Sequence, residues 1–190
     1  SANCVTGLIV VNTMAHWTVF GKVVILLLIQ AGGLGFMTLI TIAMVLIRRK
    51  ISLRSRQTIQ ASFNQESIGG MVRLVRNVVL ITLFFEIVGA LLLALSFWIS
   101  GSMSIPRALG QGVFHAISAF CNAGFDNIGP EGLMPFQRNI PINLIIMVLI
   151  IAGGIGFTVW EEIVKILHSK PKRSLRVRLR RFSLHSKIAL

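Results

Sequence analysis

Ser118-Ala119-Phe120-Cys121-Asn122-Ala123-Gly124-Phe125 is the most informative stretch of this sequence. A near-copy, Ser1-Ala2-Asn3-Cys4-Val5-Thr6-Gly7-Leu8, opens the chain 117 residues earlier, and both follow the pattern Ser-Ala-x-Cys-x-x-Gly followed by a bulky apolar residue. A long apolar segment follows each copy, and both are interrupted by Gly-Gly-x-Gly, at Gly32–Gly35 and Gly153–Gly156. Self-similarity at a fixed spacing indicates repeated structural units. We therefore predict two copies of a loop followed by a helix.

The composition is typical of a membrane protein. Of the 190 residues, 54% are hydrophobic and 13% are charged, whereas charged residues make up about 25% of soluble proteins. The formal net charge of +13 would suggest nucleic-acid binding if the basic residues were spread over a folded surface. Instead, seven of the 19 lysines and arginines lie within 48–76 and nine within 165–187. Clusters beside apolar helices fit the positive-inside rule, so we expect membrane lipid, and no nucleic acid, as a partner.

Apolar length and charge together predict the membrane topology. Val19–Ile47 would be about 43 Å long as a helix, more than the roughly 30 Å of a bilayer core. Arg48–Lys50 then place its end in the cytoplasm and the first loop motif on the outer side. A second span is predicted over Val78–Ile99, after a break at Gly69–Gly70, and a third over Ile142–Ile163.

The apolar segment between the second and third spans is too short to cross a membrane. Pro106–Ala119 would form a helix of about 21 Å, with Ser104 or Ile105 as its cap and Pro106 in its first turn. It leads into a small-residue loop at Cys121–Gly124 and then into polar sequence. A helix that enters the bilayer and returns as a loop is re-entrant, and its bare backbone must be buried in protein or line an aqueous path. The second unit is therefore predicted to be helix, re-entrant helix, filter-like loop and helix.

This layout indicates a pore with a defined chemistry. A cation sheds its water only where other oxygens replace it, and backbone carbonyls of extended loops are a fixed source of such oxygens. Gly7 and Gly124 would allow each loop to turn sharply, because only glycine reaches positive φ at little cost.

Four stretches, Cys4–Leu8, Val10–Thr13, Gln30–Gly35 and His115–Phe125, resemble the membrane subunit of the bacterial Ktr/Trk (TrkH/KtrB-type) potassium uptake systems, most closely the Ktr type. The resemblance covers essentially the whole chain. It implies an all-α membrane protein built from four fused helix–re-entrant pore loop–helix repeats, similar to those of potassium channels. About one and a half of these repeats would be present here.

The resemblance divides the chain into four segments. Residues 1–50 would be the end of repeat 1, 51–77 a cytoplasmic linker, 78–169 repeat 2, and 170–190 a basic cytoplasmic linker with the start of repeat 3. The filter loops would be extracellular. The implied function is potassium uptake across the cell membrane by a multi-pass subunit that is not an enzyme and has no cofactor apart from K⁺ as the transported ion. The implied partners are the remaining repeats of the chain, a second copy in a homodimer and a cytoplasmic nucleotide-binding regulatory subunit.

The resemblance also implies roles for individual residues. Filter carbonyls would come from six positions: Val5, Thr6, Gly7, Asn122, Ala123 and Gly124. Four neighbours would support the filter, two of them (Leu8 and Phe125) by packing behind or above it: Cys4, Leu8, Cys121 and Phe125. Each loop has a single glycine, whereas the Thr-Val-Gly-Tyr-Gly filter of potassium channels has two, so selectivity for potassium over sodium stays open. The resemblance further implies an acidic residue near Asn12, and this outer-mouth position is uncharged here.

Several features have two interpretations. The glycine runs inside apolar helices favour close helix packing or a bend near the pore. A gating hinge is the alternative for six residues: Gly32, Gly33, Gly35, Gly153, Gly154 and Gly156. Asp126 either raises the cation concentration at the mouth or caps a turn. Glu86 lies in the middle of the second span, where a carboxylate is costly. A hydrogen bond to a neighbouring helix is the favoured interpretation, and the alternative is a proton- or sodium-coupled cation carrier that uses Glu86.

Overall fold

The computed structural model describes residues 1–35, 68–101, 103–157, 159–160 and 162–163. The basic clusters at 48–67 and 165–187, and with them most of the predicted linkers, lie outside the described residues. Ser1–Gly154 forms one compact unit, and Ile155–Leu190 is assigned to a second. The described residues form helices joined by loops, with no β-strand among them. The elements in chain order are α1 (Thr13–His16), α2 (Val19–Leu34), α3 (Ile68–Ile99), α4 (Ile105–Phe120), a 3-10 helix (Met134–Phe136) and α5 (Ile140–Gly154).

Both Gly-Gly-x-Gly runs end a helix. α2 ends at Leu34, and the next residue, Gly35, has φ of +79°. α5 ends at Gly154, and Gly156 has φ of +90° before helical residues resume at Phe157. Positive φ cannot continue a right-handed helix. The predicted spans that begin at Val19 and Ile142 are therefore not single continuous helices, and the 16 residues of α2 measure about 24 Å.

α3 is the longest helix of the described residues. Within the described residues, Val75–Ile99 is the one helix long and apolar enough to cross a bilayer, and Val19–Leu34 and Ile140–Gly154 are shorter apolar helices. The helix ends at Ile99, as predicted, but the expected break at Gly69–Gly70 is wrong, because α3 starts at Ile68 and runs through both glycines. Glycine weakens a helix by about 1 kcal/mol per residue, and the long apolar run that follows outweighs this cost.

α4 corresponds to the predicted re-entrant helix. It has 16 residues, Ser104 is its N-cap and Pro106 lies in its first turn. α4 packs mainly against α3 and also contacts α5 and α2. The approach of α4 to α3 is close, because a Cβ atom placed on Gly112 would lie 2.5 Å from the carbonyl oxygen of Ala90 and 2.9 Å from the nitrogen of Ala94.

The second loop motif packs between α2, which follows the first loop motif, and α4, which precedes the second. Ala123 and Phe125 of this loop are buried in one cluster with Ile25 and Ile29 of α2 and with Phe114 of α4. Apolar burial of this kind stabilises a structure in proportion to the area removed from contact with solvent. The helix that follows the first loop therefore helps to hold the second loop in place.

Two glycines of α4 provide a test of the α3–α4 contact. Gly112→Ala would place a methyl group against the backbone of α3, and we expect a loss of about 1–3 kcal/mol in stability, as for an overpacked core. Gly110→Ala is the matched control, because its Cβ would have no heavy atom within 4 Å. Alanine there should be neutral or should stabilise the helix by about 0.5–1 kcal/mol. Thermal unfolding in detergent measures both variants, and equal melting temperatures would contradict the close contact.

Candidate ion-binding site

The second loop begins as a specific type of helix end. Cys121 is the C-cap of α4, and Asn122 follows it in the left-handed region with φ of +57°. The amide of Asn122 donates to the carbonyl of Ala119 at 3.0 Å, and the amide of Ala123 donates to that of Ser118 at 2.8 Å. This pair of bonds is the Schellman motif, which satisfies the last carbonyls of a helix and turns the chain away from its axis.

The first loop has the same backbone. Val5 has φ of +52°, its amide donates to the carbonyl of Ala2 at 3.2 Å, and the amide of Thr6 donates to that of Ser1 at 3.3 Å. These two hydrogen bonds join the positions of the first loop that correspond to those bonded in the second loop. A β-branched residue at positive φ is a genuine outlier, and such a conformation costs on the order of 1–3 kcal/mol. The first loop therefore adopts this turn despite an unfavourable residue at its key position.

The two motif glycines lie next to each other. Gly7 and Gly124 both have φ of +70°. A Cβ atom placed on Gly124 would lie 3.6 Å from Cα of Gly7, and one placed on Gly7 would lie 2.7 Å from the carbonyl oxygen of Ala123. Positive φ thus recurs two residues apart in each loop, and the two loops meet at their glycines. Neither glycine can carry a side chain without strain, and Gly7 has no space for one.

One face of α4 holds the segment that follows Gly124. Ser118 Oγ donates to the carbonyl of Phe125 at 2.7 Å, and Gln111 Nε2 donates to that of Asn127 at 2.7 Å. Between them, His115 Nε2 lies 3.5 Å from Oδ1 of Asp126. Residues 111, 115 and 118 share a helix face because they are spaced by four and three residues. Each of the three consecutive residues after Gly124 therefore has its own contact from α4.

Asp126 has the geometry of a turn cap. Its Oδ1 accepts from the amide of Ile128 at 2.7 Å. Burial alone would raise the pKa of Asp126, but the contact with His115 and the backbone hydrogen bond from Ile128 outweigh it, and the pKa of this carboxyl lies below its ordinary value. The Asp126 side chain is 26% exposed. It can therefore cap the turn and also present a negative charge to solvent, so that the two interpretations of Asp126 are compatible.

Asn12 links the segment after the first loop motif to the segment after the second. Its Oδ1 accepts from the amides of Met14 and Ala15, both at 3.0 Å, which caps α1. Its Nδ2 donates to the carbonyl of Gly129 at 3.0 Å. An amide side chain can make both contacts because it carries an acceptor and a donor, whereas a carboxylate could not donate to Gly129.

The glycine runs pack against the loops. A Cβ on Gly32 would clash with the carbonyl oxygen of Asn3, and one on Gly153 would clash with that of Phe120. Asn3 and Phe120 are equivalent residues, each directly before the motif cysteine. The same helix–loop contact is thus made in both units. The sequence-based preference for close packing agrees with this geometry, although the expected neighbour was another helix rather than a loop.

The other predicted site residues differ in their surroundings. Phe125 is 7% exposed and packs in the core, whereas Leu8 is 77% exposed in the part of the chain that the structure describes. Cys4 and Cys121 are free thiols. Glu86 is 6% exposed, and its Oε2 accepts from Nε2 of Gln30 at 3.1 Å. Sequence analysis did not predict the contacts of four residues: Asn12, Gln111, His115 and Ser118.

Comparison with known proteins identifies the family of this chain. The profile of the TrkH family, described as cation transport proteins, matches residues 1–190. This chain belongs to the TrkH family. It is 41% identical over its full length to the Ktr system potassium uptake protein B of Bacillus subtilis and 35% identical over its full length to the potassium/sodium uptake protein NtpJ of Enterococcus hirae. It covers 40% and 39% of the lengths of these two TrkH-family relatives.

The contacts of Asp126 predict a graded response to substitution. Asp126→Ala removes the acceptor for Ile128 and the contact with His115, and we expect a loss of about 1–3 kcal/mol at pH 7. Asp126→Asn keeps a side-chain oxygen for the Ile128 amide and should lose less. Since the pKa of Asp126 is lowered, its carboxylate contributes fully above the unfolded pKa of about 3.9, and this contribution is lost as the pH falls through the lower folded value.

Melting temperatures of the wild type, Asp126→Asn and Asp126→Ala, recorded between about pH 3 and pH 7 across the carboxylate range, test this expectation. The difference between the wild type and Asp126→Asn should shrink at the acidic end. A difference that is constant with pH, or equal losses in Asn and Ala at pH 7, would contradict the assigned contacts.

Proposed function

We propose that this chain forms two adjacent carbonyl-lined walls of a potassium uptake pore. The observation that supports it most strongly is the meeting of two loops with the same backbone conformation at Gly7 and Gly124. The proposal assigns filter carbonyls to two sets of three residues: Val5, Thr6, Gly7 and Asn122, Ala123, Gly124. The other walls would come from the remaining repeats of the chain.

The backbone angles supply a physical reason. In a regular strand successive residues face opposite sides. A residue at positive φ reverses the local hand of the backbone, and in each loop it recurs at every second position, 5 and 7 or 122 and 124. Such alternation allows successive carbonyls to face the same side. A cation entering between two such loops would exchange its water for carbonyl oxygens, which is how potassium filters replace a hydration shell.

The relatives indicate the ion. One is named a potassium uptake protein and another a potassium/sodium uptake protein. We propose K⁺ as the transported ion of this chain. Cys4, Leu8, Cys121 and Phe125 are then support residues, and the helix breaks at Gly35 and Gly156 are the proposed hinge positions.

The proposed setting is the cell membrane. The positive-inside rule places the basic segments in the cytoplasm and the filter loops outside. The family resemblance adds two partners, a second copy in a homodimer and a cytoplasmic nucleotide-binding regulatory subunit. The basic segments, which also attract anionic lipid, are the proposed docking region for this regulatory subunit.

The carrier alternative is not adopted. A proton relay needs a group with access to water on both sides in turn, and Glu86 is 6% exposed and hydrogen-bonded to Gln30. These contacts favour the structural interpretation. Uptake that persists in Glu86→Gln with an unchanged pH dependence would agree with this choice, whereas its loss with an intact fold would favour the carrier.

Two substitutions test the filter proposal. Gly7→Ala would bring a methyl group to 2.7 Å from the carbonyl oxygen of Ala123, and Gly124→Ala would place a side chain at a φ of +70°. Both should displace filter carbonyls, and we expect the K⁺ affinity of uptake to fall by roughly tenfold or more, about 1.4 kcal/mol, while the protein remains folded. Gly7→Ala should have the larger effect, because it combines strain with a clash.

The measurement is K⁺ uptake by the full-length protein in liposomes, with Gly110→Ala as the control because a Cβ at that α4 position meets no atom within 4 Å. Normal uptake in Gly7→Ala would rule out the filter assignment.

A further inference from the structure

One buried side chain of α3 joins three segments around the second filter loop. Glu86 accepts a hydrogen bond from Nε2 of Gln30 on α2 through Oε2, at 3.1 Å. Its other oxygen, Oε1, lies 3.9 Å from Sγ of Cys121 at the end of α4. An unpartnered carboxylate in the middle of a membrane helix would be costly, and here both oxygens have a contact. Glu86 thus connects the first unit, the long helix of the second unit and the start of the second filter loop.

A second residue of α2, Gly33, packs against Cys121. A Cβ on Gly33 would clash with Sγ of Cys121, and Gly33 lies three residues after Gln30, on the same helix face. Gly33 and Gln30 therefore form one surface that fits against Cys121 and Glu86. We define Gln30, Gly33, Glu86 and Cys121 as the inter-unit brace.

The brace acts on the residue that starts the filter turn. Cys121 is the C-cap of α4 and is bonded directly to Asn122, whose φ of +57° sets the direction of the loop. Movement of Cys121 would rotate the peptide plane between these two residues. Discrimination between ions of similar size depends on the positions and field strength of the carbonyls, and a binding constellation must be held to about 0.5 Å by its supporting shell.

An apolar residue replaces Gln30 of the brace at the equivalent position of the second unit. The glycine runs are 121 residues apart, so Ile151 occupies in α5 the position that Gln30 occupies in α2. Ile151 is apolar and 61% exposed. Helix packing alone therefore does not require an amide at this position, and Gln30 is explained by its partner, Glu86.

We propose that Glu86 is a positioning residue for ion selectivity, which, with Gln30 and Gly33 of the preceding unit, fixes Cys121 and hence the second wall of the filter. This inference rests on the proposed potassium-uptake function. It differs from the carrier alternative because Glu86 contacts no ion and needs no change of protonation during transport.

The test compares K⁺ and Na⁺ uptake by full-length protein in liposomes. Glu86→Leu and Gln30→Leu should each lower the ratio of K⁺ to Na⁺ transport by roughly tenfold, equal to about 1.4 kcal/mol. The double variant should lose no more than either single variant, because the two residues share one interaction. Glu86→Gln keeps an oxygen acceptor for Gln30 and should restore most of the ratio.

Thr82→Val is the matched control. Thr82 lies one turn before Glu86 on α3, is 1% exposed, and its hydroxyl has no hydrogen-bond partner among the described residues. Its replacement by a side chain of the same shape should leave the ratio unchanged. An unchanged ratio in Glu86→Leu would overturn the proposal, as would an equal fall in the control.

A second measurement is independent of transport. In a full-length chain with its other cysteines replaced by serine, Cys121 should react faster with a small membrane-permeant maleimide in the Gln30→Leu variant, because this variant loses a contact of the brace and keeps the carboxylate beside the thiol. If the wild type transported no potassium, the proposed function would fail. The labelling rates would then test only whether the brace holds Cys121 in place. Equal rates would overturn this part of the proposal, and faster labelling in the variant would support it.

Discussion

The left-handed residue after each motif cysteine is the constraint on which the rest of the site depends. A helix that ends in a Schellman motif has its last carbonyls satisfied, so the chain can leave the helix axis without orphaned backbone groups. Asn122 and Val5 take this conformation, and each is followed two residues later by a glycine at positive φ. The reversal of direction brings both glycines close together, and the supporting contacts act on the residues before and after this turn.

The supporting contacts come from three sources. The helix α4 holds the segment after Gly124 through Gln111, His115 and Ser118, and the glycine runs of α2 and α5 pack against the carbonyls before the cysteines. The inter-unit brace contacts Cys121. A protein interior is packed closely enough that such contacts transmit small displacements, so the proposed filter is positioned by the surrounding helices rather than by the loops alone.

Sequence patterns predicted the architecture better than they predicted the contacts. The repeated Ser-Ala-x-Cys-x-x-Gly motif indicated two equivalent loops, and the short apolar stretch after Pro106 indicated the re-entrant helix. The helix boundaries at Ile68, Leu34 and Gly154 were missed, because a glycine pair continues a helix in one case and a glycine run ends it in two. The roles of Asn12 and Gln111 depend on residues 117 and 16 positions away, and such long-range pairing leaves no signal in a single sequence.

The unequal residues at the two turn positions, Val5 and Asn122, have an evolutionary consequence. In a channel assembled from identical subunits, a single codon change alters every wall of the pore at once. In the proposed pore each wall is encoded separately, and a strained valine in one unit coexists with an asparagine in the other at a similar backbone angle. Mutation can therefore adjust one loop while the other is unaltered, so that duplicated units can diverge in small, separately selectable steps.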